Sequence, residues 1–132
     1  MPTYFIDIDP QPYVRRTRQG RFSPAAKKYH KWLNDFRWLC KEQGLETLPD
    51  AGTRLNFYIA MPRSWPKGQR RAMLGKGHHT PKGKSKDLDN LMKAVNDALR
   101  PSDDGNIYHQ SGCKMWAETG GIEIIIRERW EP

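Results

Sequence analysis

The chain of 132 residues has few cysteines and lacks a long hydrophobic run. Cys40 and Cys113 are its only cysteines, too few for a disulfide scaffold or a structural zinc site. We therefore expect free thiols and a reducing, cytoplasmic environment. Acids interrupt the apolar start of the chain after a few residues, which argues against a signal peptide, and no segment approaches transmembrane length. We expect no membrane partner.

Acidic residues are also scarce relative to basic ones. The chain has 23 Lys and Arg against 15 Asp and Glu, which gives a formal net charge of +8. A domain this basic commonly binds polyanions, and nucleic acid is the commonest of them. A positive surface that serves only solubility is the alternative explanation.

The length and the apolar periodicities predict one α+β domain spanning residues 1–132, with the element order β-α-β-α-β-β. Two main helices are expected to pack on a mixed sheet of about four strands. The strands are predicted at about 4–8, 53–61, 107–116 and 122–129. The last two strands are expected to form a hairpin at Thr119-Gly120-Gly121.

The first helix is predicted to begin at Ser23-Pro24, with serine as the N-cap and proline at the first helical position. Its apolar stripe ends at Cys40, and Gly44 is expected to stop it. The stripe contains Ala25, Tyr29, Trp32, Leu33, Phe36, Leu39 and Cys40. Lysines at 27, 28, 31 and 41 are expected to face solvent.

The second helix is predicted over 89–99 and stops at Pro101. Its apolar arc consists of Leu88, Leu91, Val95, Ala98 and Leu99. Its solvent-facing arc consists of Asp89, Lys93, Asn96, Asp97 and Arg100. This division follows from the angle of about 100° between successive residues of a helix.

Two basic segments predict a phosphate-rich partner. Residues 9–22 form a loop with four arginines, and residues 62–86 form a long connection without any acid, with a short helix around 69–74. The adjacent pair His78-His79 is expected to belong to this basic connection rather than to a metal site. The expected DNA-binding residues of the two segments are Arg15, Arg16, Arg18, Arg21, Lys82, Lys84 and Lys86.

The strongest candidate for chemistry is Asp87-Leu88-Asp89 with Lys93, followed by Asp104. Carboxylates two residues apart in an extended segment point to the same side and can share a cation, and Lys93 lies one helical turn beyond Asp89. Hard oxygen ligands suit Mg²⁺, and a lysine can offset the charge of a phosphodiester transition state. The same residues could instead be an N-cap, a surface ion pair and an ordinary turn.

The segment from Lys86 to Leu99, KDLDNLMKAVNDAL, followed by DDGNI at 103–107, resembles the signature of the RusA family of Holliday-junction resolvases. Lys114, the glycines at 120–121 and the arginine-rich loop before Ser23 extend the similarity to most of the chain. The resemblance implies a homodimeric, Mg²⁺-dependent endonuclease that cuts four-way DNA junctions by paired nicks in recombination and repair, with Mn²⁺ as a possible substitute.

The resemblance also assigns roles to individual residues. It implies that Asp87, Asp89 and Asp104 bind the metal, that Lys93 assists catalysis, and that Asn90 and Lys114 contact DNA. Asn96 stands where a compared resolvase has an aromatic residue thought to help open the junction, so the resemblance implies no such role for this position.

Two other functions remain open from the sequence. The chain could be a non-catalytic DNA-binding module in which the acids only cap and pair. It could also be a protein directed to RNA through the same basic surface. Junction cleavage in Mg²⁺ or Mn²⁺ distinguishes the first from a nuclease, and competition by double-stranded RNA tests the second.

Overall fold

The computed structural model describes residues 2–15, 23–80 and 86–127. It contains three α-helices, one short 3₁₀ turn and a mixed sheet of four strands, which confirms the predicted α+β class and element order. The elements are β1 (Thr3–Ile6), α1 (Pro24–Glu42), β2 (Thr53–Ala60), α2 (Lys67–Met73), α3 (Leu88–Leu99), the 3₁₀ turn (Asp104–Asn106), β3 (Gln110–Ala117) and β4 (Gly121–Ile126).

The strand order in the sheet is β1-β4-β2-β3. Strand β2 pairs parallel to β3 and antiparallel to β4, so the predicted hairpin between β3 and β4 is wrong. Most residues of β2 are buried, as expected for a strand that lies between β4 and β3. Gly121 serves close packing, because a Cβ there would clash with Cζ of Phe5 on the neighbouring strand β1.

Helix α1 begins as the sequence predicts. The Ser23 hydroxyl accepts a hydrogen bond from the Ala26 amide at 3.1 Å, and Pro24 is the first helical residue. The helix ends at Glu42, and Gly44 follows with a φ of 83°, a conformation that glycine adopts readily. The apolar stripe is buried as expected apart from Leu39, which is partly buried, and Ala25, which is exposed while Ala26 packs into the core. The four lysines of the helix are exposed, as predicted.

Helix α3 packs against α1 and against β3. Its buried residues are Leu91, Ala94, Val95, Ala98 and Leu99. The prediction that Arg100 faces solvent is wrong, since 7 % of its side chain is exposed. The helix ends at Leu99 and Arg100 has a φ of −134°, so helical periodicity no longer gives its direction.

The connection between β2 and α3 contains the short helix α2, close to where the sequence predicts one. Beyond it the chain runs along the edge of β3, where the His78 amide donates to the Lys114 carbonyl at 3.1 Å. His78 is buried and its ring lies 4.4 Å from that of Trp116, so it packs against β3 as part of this connection.

Both cysteines are free thiols, as expected. Cys40 is buried in the core, and burial raises the pKa of its thiol to about 12. In the described part of the chain, no helix combines the length and apolarity needed to cross a bilayer.

Candidate functional site

The amino-terminal end of α3 carries two of the predicted site carboxylates. Asp87 is the N-cap residue, and its side chain accepts a hydrogen bond from the Asn90 amide at 3.1 Å. Asp89 lies in the first turn, where a negative charge is favoured by the helix dipole. Lys93 follows one turn later, and its Nζ atom lies 3.3 Å from Oδ2 of Asp89. Both side chains of this pair are largely exposed and therefore accessible to a substrate.

Asp104 reaches the same region because the chain turns back after α3. It begins the 3₁₀ turn and lines a cavity of about 290 Å³ together with Asp89 and Lys93. One carboxylate and an ammonium group from α3 therefore face the same open space as a second carboxylate from the 3₁₀ turn. Asn96 and Gln110 line the same cavity and exchange two hydrogen bonds of 2.9 Å, which join α3 to the start of β3.

Asp87 does not line this cavity. Across residues 2–15, 23–80 and 86–127, no group of three or more His, Cys, Asp and Glu side chains is close enough to hold a metal ion. Mg²⁺ is, however, commonly bound by only one or two protein carboxylates together with water and substrate phosphates. Asp89 and Asp104 supply two such oxygen ligands in one cavity, so the donor set fits that ion.

Arg100 holds the segment that presents Asp104. Its guanidinium donates to Oδ1 of Asp103 at 2.8 Å and to the Leu48 carbonyl at 2.8 Å, and it forms an ion pair with Asp50 at 2.8 Å. The hydrogen bonds to Asp103 and Asp50 raise the pKa of Arg100, and the guanidinium lowers the pKa of Asp103. The position of Asp104 therefore depends on a buried cation that helical periodicity did not find. The one feature of the sequence that could have indicated this pairing is that Asp103 follows Arg100 by three positions.

A second cavity of about 510 Å³ adjoins the first along α3. It is lined by Lys93 and Asp104, which it shares with the first, and by Arg15 from the amino-terminal segment. The Tyr13 amide donates to the Asn90 carbonyl at 3.0 Å and ties that segment to α3. The structure thus places the predicted DNA-binding residue Arg15 beside the candidate site. The other predicted residues of the two basic segments, apart from Lys86, lie outside the described residues: Arg16, Arg18, Arg21, Lys82 and Lys84.

The remaining predicted DNA-binding residues are partly buried near the start of α3. The Asn90 amide donates to the Asp87 carboxylate, and the Asn90 carbonyl accepts a hydrogen bond from the Tyr13 amide. The Lys86 carbonyl accepts a hydrogen bond from Nζ of Lys114 at 2.8 Å. Burial lowers the pKa of Lys114, and the nearby carboxylate of Asp87 acts in the opposite direction.

Comparison with known proteins gives one family. The chain matches the family described as Endodeoxyribonuclease RusA over residues 7–127, which includes every described residue of both cavities. A search of individual curated proteins gives no match.

Proposed function

We propose a function on the premise that the chain belongs to the endodeoxyribonuclease RusA family, as its match over residues 7–127 shows. The family cleaves DNA and resolves Holliday junctions, so the chain is assigned to the nucleases. Our proposal is that this protein cuts four-way junctions by paired phosphodiester hydrolysis in a Mg²⁺-dependent way. The observation that carries the proposal is the cavity shared by Asp89, Lys93 and Asp104.

Asp89 and Asp104 would hold the metal, with Asp87 at the neighbouring helix end as a further carboxylate. A bound Mg²⁺ supplies positive charge that polarises the scissile phosphate. The Lys93 ammonium group faces the same cavity and can offset charge that develops on the phosphate oxygens. In the absence of substrate it pairs with Asp89 at 3.3 Å.

The adjoining cavity suits the backbone that flanks the cut. Arg15 can contact a neighbouring phosphate there while Lys93 and Asp104 face the scissile one. Such contacts position DNA without reading its sequence, and they weaken as salt concentration rises. A junction has two equivalent scissile phosphates, so a dimer with twofold symmetry would present one site to each. We therefore propose that the protein acts as a homodimer.

The test is cleavage of a synthetic mobile four-way junction with and without Mg²⁺, compared between the wild type and Asp89→Asn. We expect the variant to bind the junction in the absence of metal as the wild type does, and to lose cleavage. Asp35→Asn is the matched control, because Asp35 also pairs with a lysine four positions away on an exposed helix face. Normal cleavage by Asp89→Asn would refute the site assignment.

A non-catalytic DNA-binding module is the second candidate. Its support is that Asp87 already caps α3 and Asp89 already pairs with Lys93, so both acids have ordinary structural roles. Under this alternative, the wild type binds junctions but leaves them uncut in both Mg²⁺ and Mn²⁺. Cleavage in either metal excludes it.

A further inference from the structure

Lys114 contacts two points of the connection that leads into α3, namely Thr80 and Lys86. It lies on β3, and its Nζ atom donates to the Thr80 hydroxyl and, at 2.8 Å, to the Lys86 carbonyl. The Thr80 hydroxyl in turn donates to the same Lys86 carbonyl at 2.8 Å. We call these three groups the Lys114 clasp. They hold together the residues on either side of 81–85.

The clasp lies next to one of the candidate metal-binding acids. Lys86 immediately precedes Asp87, whose backbone forms the N-cap of α3. A cation near the amino-terminal end of a helix is unfavourable unless an anion or hydrogen-bond acceptors compensate for it. Here the Lys86 carbonyl, the Thr80 hydroxyl and the nearby carboxylate of Asp87 provide that compensation. Lys114 is therefore tied to the protein's own groups at this position.

We propose that Lys114 is a positioning residue, which fixes the Lys86 carbonyl and thereby the place of Asp87 beside the proposed catalytic cavity. The proposal rests on the proposed function, and it differs from the DNA contact that the family resemblance implies for Lys114. Two features favour positioning: the side chain is partly buried, and its ammonium donates two hydrogen bonds within the protein. A phosphate contact would require it to leave at least one of these partners or to use its remaining donor.

The experiment compares Lys114→Met, Thr80→Val and the double variant. Two quantities are measured: the Mg²⁺ concentration that gives half-maximal junction cleavage, and the salt dependence of junction binding without metal. We expect each single substitution to raise the half-maximal Mg²⁺ concentration about three- to tenfold, which corresponds to the loss of one hydrogen bond. The double variant should be no worse than the worse single one, because both substitutions break the same clasp. Lys28→Met removes the same charge from an exposed position and should change neither quantity.

Direct contact between Lys114 and DNA gives a different pattern. In that case Lys114→Met lowers the slope of log affinity against log salt by about 1, as expected for one lost phosphate contact. Thr80→Val, which removes no charge, then leaves both quantities unchanged. That combination would overturn the proposal.

A second measurement separates this proposal from the proposed nuclease function. Hydrogen exchange of the backbone amides over residues 86–91 can be followed whether or not the protein cleaves DNA. We expect faster exchange there in Lys114→Met than in Lys28→Met, since the start of α3 loses its attachment to β3. Equal exchange in the two variants would show that Lys114 does not hold Asp87. A wild type that never cleaves would instead refute the nuclease proposal and leave this readout intact.

Discussion

Replacing Gly112 with alanine tests how closely α3 must approach β3. A Cβ at this position would lie 2.9 Å from the Met92 sulfur, 3.3 Å from the Leu55 carbonyl oxygen and 3.4 Å from Cδ1 of Leu88. Met92 and Leu88 belong to α3, whereas Leu55 is the register partner of Gly112 on central strand β2. The substitution therefore crowds the contact between the sheet and the helix that carries Asp89: the Met92 side chain must move, and the Leu55 carbonyl must shift slightly.

The size of the effect follows from two opposing contributions. Overpacking of a well-packed region typically costs about 1–3 kcal/mol. Alanine also restricts the unfolded chain, which returns about 0.4–1 kcal/mol where the native conformation accepts it. The strand conformation of Gly112 accepts alanine, but the Leu55 carbonyl belongs to the central strand and cannot move aside easily. The steric contribution dominates, so we expect a loss of about 1–2 kcal/mol and a Tm lower by roughly 3–8 °C.

Urea and thermal unfolding measure this loss, and the half-maximal Mg²⁺ concentration in junction cleavage reports any displacement of α3 from the turn that carries Asp104. Gly68→Ala is the matched control, because a Cβ there meets nothing within 4 Å and the residue lies in α2. Alanine favours a helix interior over glycine by up to about 1 kcal/mol, so this control should be neutral or more stable.

The double variant Gly112→Ala with Met92→Ala removes the closest of the clashing atoms. We expect its destabilisation to be smaller than the sum of the two single effects by more than the roughly 0.5 kcal/mol within which independent sites add. If Gly112→Ala were as stable as Gly68→Ala, or if the two effects simply added, the close approach of α3 to β3 would not be the constraint we describe.

Three further predictions concern pH, salt and thiol reactivity. Burial lowers the pKa of His78 below its ordinary value of 6.5, and in the described structure its Nδ1 atom has no hydrogen-bond partner. In this pH range the unfolded chain therefore binds a proton that the folded chain does not, so the free energy of unfolding should fall as pH drops from 7 through 6.5 towards the lowered pKa. Urea titrations of His78→Gln should show a weaker pH dependence. An unchanged pH dependence would show that His78 is not its source. Neutralising Lys82, Lys84 and Lys86 together should lower the slope of log affinity against log salt by about 3 if each contacts a phosphate, as measured on a junction without metal; an unchanged slope would place this segment away from the DNA. Cys40, buried and with its pKa raised to about 12, should resist alkylation at pH 8 until denaturant is added, which peptide mass spectrometry checks, and rapid native labelling would show that the core opens there.

Local features of the fold could be predicted because their causes lie within a few residues of one another. Ser23 caps α1 through an amide three positions away, and the buried stripe of that helix follows its 3.6-residue period. The same holds for Asp87 at the start of α3 and for Lys93 one turn after Asp89. Such contacts need no knowledge of the remaining chain, so a single sequence suffices to place them.

Strand pairing and the burial of Arg100 could not be predicted in this way. Adjacent predicted strands suggested a hairpin, yet β2 separates β3 from β4. The backbone N–H and C=O groups of this buried strand need hydrogen-bond partners on both edges, and β3 and β4 supply them. The helical pattern predicted that Arg100 is the last solvent-facing residue of α3. The helix instead ends before it, and its guanidinium forms an ion pair with Asp50, which is distant in the chain. Both outcomes depend on partners that residue spacing does not reveal.

The candidate site divides along the same line. Sequence alone selected Asp87, Asp89, Lys93 and Asp104, since carboxylates and a lysine near a helix start suit a metal and a phosphate whatever the surrounding fold. Only the tertiary structure brought Asp104 into the cavity of Asp89 and Lys93, because Arg100 holds the returning chain. It also placed Lys114 near the carboxylate of Asp87, because strand β3 lies beside the start of α3 although the two are distant in the chain.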